Sequence, residues 1–167
     1  MVETERLRLT EFGPQDSAFI LELLNDPDWK RFIGDRGIRT LEEARGYIER
    51  GPMAMYARLG FGLYRVALRE SDVPIGMCGL IKRDSLEHVD LGFAFLPAWR
   101  GQGYAYESAA AMRDYGVGEL GLERIVAITS PDNDTSGKLL LRLGFDDAGM
   151  IPWGTEGDTS RYFVFDP

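Results

Sequence analysis

Alternating and helical patterns of apolar residues divide the first part of the chain into one strand and one helix. The segment Glu5–Thr10 alternates polar and apolar residues and predicts a first strand, which Gly13 and Pro14 end. Proline suits the first position of a helix, and the apolar residues that follow share one helical face: Phe19, Ile20, Leu23 and Leu24. We expect this helix to stop near Asn25 and residues 28–39 to be irregular.

The middle of the chain predicts a second helix and then three strands. Thr40 and Glu43 have the spacing of a capping box, and the helix they begin would bury Leu41, Ala44 and Ile48. Strands follow at about residues 62–69, 74–83 and 89–96. Their short connections favour an antiparallel meander, so the sheet as a whole is expected to be mixed.

From Gly103 the pattern becomes helical again. Apolar and small residues recur at spacings of four, four and three, at Tyr104, Ser108, Met112 and Tyr115. A compact strand is predicted at residues 124–129, then a short helix capped by Asn133 or Asp134. Residues 161–165 predict a last strand, whereas Pro152 leaves the assignment of the segment before it open.

The composition and net charge limit which kinds of protein and binding partner are compatible with this chain. The 167 residues fit a single domain spanning 1–167, and a net charge of −8 argues against binding nucleic acid or anionic membranes. A cationic partner such as an amine is easier to accommodate. The sequence has neither an apolar run long enough to cross a membrane nor a signal-peptide pattern at its start, so we expect a cytoplasmic protein. One cysteine and one histidine leave no basis for a disulfide, and we expect no metal site.

The stretch 91–105 has the order of an anion-binding strand, loop and helix. Two glycines one residue apart, Gly101 and Gly103, precede a helix whose first N–H groups are unpaired and carry the positive end of the helix dipole. A Rossmann fingerprint fails because its third glycine would fall at Tyr106, and a P-loop fails because no Gly-Lys-Ser or Gly-Lys-Thr follows. Taken alone, the loop could also be a tight turn without a ligand.

Residues Arg100–Ala105 resemble the Arg/Gln-x-x-Gly-x-Gly/Ala signature of the GNAT superfamily of acetyl-coenzyme A-dependent N-acetyltransferases. Four further segments match the family in order: Thr4–Leu9, Asp90–Phe93, Asn133–Ser136 and Leu143–Phe145. The opening segment and the Asn-x-x-Ser are most similar to the branch that contains the ribosomal-protein alanine N-acetyltransferases.

The resemblance implies an α/β fold of the α+β kind: a mixed, mostly antiparallel sheet of about seven strands with about four helices. The sheet would be splayed between the strands that end near Leu96 and Ser130. Acetyl-coenzyme A would lie in the splay as cosubstrate, with its pantetheine along the first strand and its diphosphate on the loop amides. The implied cofactor-binding residues are Phe93, Phe95, Leu96, Arg100, Gly101, Gln102, Gly103, Tyr104, Ala105, Asn133 and Ser136.

The family chemistry implies roles for two side chains. Ser136 would donate a proton to the leaving thiolate, while Asn133 caps the helix or binds pantetheine. Asp90 is the candidate general base, acting through water if burial raises the pKa of its carboxyl. A weak base would favour α-amines, which titrate near ~8. Relatives in the ribosomal branch can carry a carboxylate in the segment after Leu-Gly-Phe, but residues 150–154 have none, which argues against a ribosomal substrate.

Several other residues have a plain structural interpretation beside a functional one. His88 fits a polar turn better than a base, and Cys78 fits a buried strand position better than an acyl carrier. Lys138 and Arg142 could meet the coenzyme's adenosine phosphates or be solvated. Some aromatic residues could line an amine pocket or belong to the core: Trp29, Phe32, Trp153 and Tyr162.

The function that follows is direct acetyl transfer to a primary amine, either a protein N-terminus or a small molecule. The alternative is a module that binds acyl-coenzyme A without turnover. The sequence identifies neither the acceptor amine nor the oligomeric state, which is expected to be a monomer or a homodimer.

Overall fold

A computed structural model describes all residues, 1–167, as one eight-stranded sheet with helices on both faces. The strands are β1 (Val2–Glu3), β2 (Leu7–Glu11), β3 (Leu63–Leu68), β4 (Pro74–Ile81), β5 (Asp90–Phe95), β6 (Ile125–Thr129), β7 (Asp146–Pro152) and β8 (Thr159–Phe165). The helices are α1 (Ser17–Leu24), α2 (Pro27–Phe32), α3 (Leu41–Ile48), α4 (Ala54–Leu59), α5 (Tyr104–Gly118) and α6 (Asp134–Arg142). A π-helical segment, Glu49–Met53, joins α3 to α4 without a break. The chain therefore has five helical bodies. No helix is long and apolar enough to cross a membrane.

The strand order β1-β2-β3-β4-β5-β6-β8-β7 makes every neighbouring pair antiparallel except β5 and β6. The predicted mixed, mostly antiparallel sheet is confirmed. Strand β5 pairs with β4 at six positions, and β6 pairs with β8 at five. Between β5 and β6, by contrast, only Asp90 and Val126 pair, so the two parallel strands separate towards their carboxyl ends. This is the expected splay.

Strand β4 is buried on both faces because helices cover both sides of the sheet. Cys78 faces the larger core, which includes Met112 of α5 and Leu140 of α6. Its neighbour Met77 faces the second core, formed mainly by α1, α2 and α3. The result is a three-layer arrangement in which the splay lies between two packed halves.

Two helical expectations need correction. Residues 28–39 are not wholly irregular, because α2 begins at Pro27 with Asp26 as its N-cap, and the Asp26 carboxylate accepts a hydrogen bond from the Trp29 N–H at 3.3 Å. The expected buried stripe of α3 holds for Ala44 and Ile48, which have no exposed surface, but Leu41 is 55 % exposed. Leu41 is the first residue of α3 and belongs to neither core.

The sheet has more strands than expected. The two-residue β1 extends one edge, and β7 forms the other edge with Pro152 as its last residue. Proline is tolerated there because an edge strand leaves one side of its backbone unpaired. The register of β7 against β8 shifts between Asp147 and Met150, and Gly149 in that interval has φ +92°.

Gly79→Ala should destabilise the fold, because a methyl group at Gly79 would stand 2.1 Å from the Gly62 carbonyl oxygen, in backbone that cannot move aside. We expect the free energy of unfolding to fall by about 1–3 kcal/mol in urea titration, as for other overpacked cores. The matched control is Gly118→Ala at the end of α5, where an added Cβ meets nothing within 4 Å. That variant should be neutral or slightly more stable, and equal losses in both would contradict the packing argument.

Candidate active site

The space between β5 and β6 opens into a cleft of about 1370 Å³. Its walls come from β5, the loop and first turn of α5, the end of β6, the start of α6, and α2. Residues of the segment between β7 and β8, 153–158, and the first two residues of β8 also line it. The cleft is therefore a direct consequence of the lost pairing between the two strands.

The exposed edge of β5 offers backbone groups to the cleft. The Leu96 N–H donates to the Ile75 carbonyl at 3.0 Å, so residues of even number on β5 direct their backbone groups towards β4. The backbone groups of Leu91, Phe93 and Phe95 consequently point towards the gap. This geometry suits pairing with an extended chain that carries amides.

The loop that follows β5 presents backbone N–H groups at the other part of the cleft. Gly101 and Gly103 have φ +74° and +85°, in the left-handed region that side chains other than glycine rarely adopt. The first hydrogen bond of α5 runs from the Glu107 N–H to the Gly103 carbonyl at 3.0 Å, so the N–H groups before Glu107 have no helical partner. Together with the helix dipole they form a site for an anion.

Arg100 does not direct its side chain at this anion site. Its Nε donates to the Phe95 carbonyl at 2.9 Å, one terminal nitrogen donates to Asp26 at 2.6 Å, and the other pairs with Asp28. Asp26 is only 7 % exposed, so the guanidinium neutralises a buried carboxylate. Arg100 thus ties the loop to α2, and its effect on a bound anion is through the position of the loop.

Arg6 also lies at the site, although the sequence did not identify it as a site residue. Its Nη1 donates to the Gln102 carbonyl at 3.0 Å, its Nε donates to Glu107 at 3.0 Å, and the guanidinium lies 4.3 Å from the centre of the Tyr104 ring. Its Nη2 is 3.2 Å from the point where a Cβ on Gly103 would stand. A positive charge therefore lies beside the loop amides. The sequence feature that could have identified Arg6 is the segment Thr4–Leu9, which resembles the family but had no assigned role.

The β6 to α6 turn contributes Asn133 and Ser136, and both line the cleft. The Asn133 side-chain oxygen accepts a hydrogen bond from the Ser136 N–H at 3.2 Å, which confirms Asn133 as the helix cap. The Ser136 hydroxyl has no hydrogen bond to another residue. Nearby, the Thr129 hydroxyl is buried without a partner and also lines the cleft. Two hydroxyl groups are thus available at this wall.

Asp90 lies at the closed end of the splay, where β5 and β6 still pair. It is 1 % exposed, and its Oδ1 accepts a hydrogen bond from the Arg83 Nε at 3.2 Å. Burial raises the pKa of the Asp90 carboxyl, and the Arg83 charge opposes that rise. Arg83 in turn lies 5.5 Å from the centre of the Trp153 ring. A buried carboxylate with a raised pKa therefore borders the cleft.

The remaining candidates separate into core and cleft residues. Cys78 is fully buried, and burial raises the pKa of its thiol to about 12, which disfavours the reactive thiolate. His88 lies 3.8 Å from Glu87 outside the cleft lining. Of the four aromatic residues considered above, the cleft lining includes Trp29, Phe32 and Trp153. Lys138 and Arg142 also line it, with Arg142 lying 4.7 Å from the Tyr106 ring centre.

Two predicted cofactor-binding residues are not in the cleft wall. Leu96 belongs to the core beside α1, and both its backbone groups are used, by Ile75 and Trp99. Gln102 is exposed, and its side chain donates to the Ala98 carbonyl at 3.0 Å. The structure does bring the others together around one cleft: Asp90, Phe93, Phe95, Arg100, Gly101, Gly103, Tyr104, Ala105, Asn133 and Ser136.

A splayed strand edge beside the amino end of a helix suits an extended, amide-containing molecule with a phosphate group. The family profile described as "Acetyltransferase (GNAT) domain" matches residues 6–146. The chain therefore belongs to the GNAT acetyltransferases, as its sequence motifs predicted.

Individual relatives agree with this assignment. The uncharacterised N-acetyltransferase YoaA of Bacillus subtilis is 29 % identical over 175 residues, covering 100 % of this chain and 97 % of the relative. A GNAT-family acetyltransferase structure from Bacillus anthracis is 26 % identical with a TM-score of 0.81, covering 99 % and 97 % of the two chains.

Two more distant structures share the fold. RimL, a ribosomal L7/L12 α-N-protein acetyltransferase in complex with coenzyme A, has a TM-score of 0.78 at 16 % identity, with 98 % and 95 % of the chains covered. The spermidine N-acetyltransferase of Vibrio cholerae with coenzyme A and spermine has a TM-score of 0.80 at 17 % identity, with 98 % and 96 % covered. These two enzymes are named for different kinds of acceptor, a ribosomal protein and spermidine.

Gly103→Glu should abolish binding of coenzyme A, because it places a carboxylate and a side chain at the anion-binding amides. The measurement is calorimetric titration of coenzyme A, with a loss of roughly a hundredfold or more in affinity expected from charge repulsion and distortion together. Gly121→Glu is the matched control, since Gly121 also has positive φ (+65°) and open space, outside the cleft. If Gly103→Glu binds coenzyme A with the affinity of the wild type, the loop is not part of the coenzyme site.

Proposed function

We propose that the protein transfers an acetyl group from acetyl-coenzyme A directly to a primary amine. The observation that carries this proposal is the continuity of the cleft: unpaired strand edge, open loop amides, hydroxyl groups and a buried carboxylate border one space. Membership of the GNAT family supports acetyl transfer in general. The cytoplasm, where acetyl-coenzyme A is available, is the proposed compartment.

The residues present fit the cosubstrate. The diphosphate would meet the N–H groups from Gly101 to Ala105. Pantetheine amides would pair with the Phe93 backbone and the Phe95 N–H, since the Phe95 carbonyl already accepts a hydrogen bond from Arg100. Lys138 and Arg142 are exposed cations on the same wall and suit the adenosine phosphates. Under this proposal Arg100, Gln102 and Leu96 act by holding the strand and loop in place.

The reaction forms a carbon–nitrogen bond and breaks the carbon–sulfur bond of the thioester. The neutral amine attacks the carbonyl carbon, and a β5 backbone N–H stabilises the oxyanion that develops. Asp90 accepts the surplus amine proton through water, while the Ser136 hydroxyl donates to the departing thiolate. Because burial raises the pKa of Asp90, its carboxylate is a stronger base than an exposed aspartate. Because protonated Asp90 cannot accept a proton, activity should be lost below a higher pH than it would be with an exposed aspartate.

The proposal is tested by release of free thiol from acetyl-coenzyme A across peptide N-termini, polyamines and amino acids. We expect amine-dependent thiol release and an acetylated amine of matching amount by mass spectrometry. Tight binding of coenzyme A with no turnover on any amine would instead favour the acyl-coenzyme A-binding module. Absence of both binding and turnover would refute the two functions together.

Ser136→Ala should lower kcat by roughly tenfold to a hundredfold, because a proton donor to the leaving group is lost. The dissociation constant of coenzyme A should stay unchanged, since the Asn133 cap uses the backbone N–H of this residue. Steady-state kinetics and calorimetry measure the two quantities. Ser136→Thr keeps the hydroxyl and should recover much of the rate. An unchanged kcat in Ser136→Ala would exclude this residue from the mechanism.

A further inference from the structure

One part of the cleft gathers hydrogen-bond donors from three separate elements. Arg36 lies in the connection between α2 and α3, Tyr47 lies on α3, and Arg83 follows β4. All three line the cleft. None belongs to the loop, strand edge or β6 to α6 turn that suit the coenzyme.

Two of these donors have no partner within the protein. Arg36 is exposed and forms neither an ion pair nor a side-chain hydrogen bond, unlike the neighbouring Arg39, which pairs with Asp35 at 2.5 Å. The Tyr47 hydroxyl likewise has no hydrogen bond to another residue, although Tyr47 is half-buried. The guanidinium and hydroxyl groups are therefore free to bind a molecule in the cleft.

The three side chains face one space, because all of them line the cleft. Burial raises the pKa of Tyr47, and the charges of Arg36 and Arg83 oppose that rise. Arg83 also contacts Asp90, the proposed base, at 3.2 Å. Of the three side chains, Arg83 is therefore next to the place where the amine would lose its proton.

The acidic groups of the cleft leave Arg36 unpaired. Four carboxylates line it, but Asp26 and Asp28 pair with Arg100, and Asp90 pairs with Arg83. Asp158 remains, in the segment between β7 and β8. The cleft therefore combines a free guanidinium for an anion with one free carboxylate that suits an ammonium group.

We propose that the acceptor is a free amino acid, whose carboxylate is held by Arg36 and the Tyr47 hydroxyl. A guanidinium fork matches a carboxylate with two parallel hydrogen bonds, which a neutral amide cannot form. The amine of the same molecule then faces Asp90. A protein N-terminus has a neutral peptide bond where the carboxylate would be, so it cannot form this ion pair. The assignment rests on the proposed acetyl transfer and specifies its acceptor.

The test compares L-amino acids with their C-terminal amides, with spermidine, and with a short peptide amidated at its C-terminus. A free carboxylate raises the pKa of the neighbouring amine, so rates are compared at equal concentrations of neutral amine. We expect kcat/KM for the preferred amino acid to exceed that for its amide by roughly tenfold or more. Arg36→Gln should bring that ratio close to one by raising KM for the amino acid, with kcat/KM for the amide unchanged. Tyr47→Phe should reduce the ratio in part.

Arg45→Gln is the matched control, because Arg45 is an exposed arginine of α3 outside the cleft, paired only with Glu49. It should leave the ratio unaltered. Preference for amides, spermidine or the peptide would overturn the assignment, as would an equal loss for amino acid and amide in Arg36→Gln.

A second measurement separates this inference from the proposed function. Amino acids are titrated into the protein saturated with coenzyme A, which cannot react. Binding that depends on Arg36, without turnover under any condition, would keep the carboxylate site and refute acetyl transfer. Turnover on amines with no amino acid binding, or binding unchanged in Arg36→Gln, would refute the site and leave acetyl transfer standing.

Discussion

The single parallel bridge between β5 and β6 is the constraint on which the rest of the site depends. Each strand is anchored on its other side, β5 by six pairs with β4 and β6 by five with β8, so the strands can separate without loss of the sheet. The separation leaves backbone donors and acceptors on β5 unpaired. Such groups are costly to bury, so the edge is suited to water or to a molecule that supplies amides in an extended chain. Pantetheine is such a molecule.

The two arginines near the loop, Arg100 and Arg6, stabilise the conformation of the loop through contacts within the protein. Arg100 joins the Phe95 carbonyl to two aspartates at the start of α2, and Arg6 joins the Gln102 carbonyl to Glu107. Removing one partner of such a network leaves a charge unpaired, and for the buried Asp26 that is expensive. The arginine of the signature is thus explained by the shape that it imposes on the glycine loop. Arg6, between β1 and β2, and the two aspartates at the start of α2 therefore help to set the conformation of the glycine loop.

The sequence predicted the features that depend on neighbours in the chain. The two glycines, the Asn133 cap and the meander of β3 to β5 follow from turn chemistry and short connections, and the family motifs placed the splay. Short helix α2 was missed because six residues are too few to show a period, although Asp26-Pro27 is a usual cap and first position. The family resemblance implied Leu96 as a cofactor-binding residue, but its backbone groups bond to Ile75 and Trp99. Which backbone groups face β4 depends on pairing with another strand, and the sequence does not show that pairing.

The convergence of Arg36, Tyr47 and Arg83 could not be predicted at all from the sequence, since it requires three elements to meet. It also revises what the net charge of −8 implies for the acceptor. Charge summed over the chain affects molecules at long range, and salt at physiological strength screens it over about 8 Å. Inside the cleft, paired carboxylates contribute little field, while an unpaired guanidinium acts at contact distance. Under the proposed assignment, the ion pairs inside the cleft matter more than the total charge, so an acidic protein can select an anionic group beside the reacting amine.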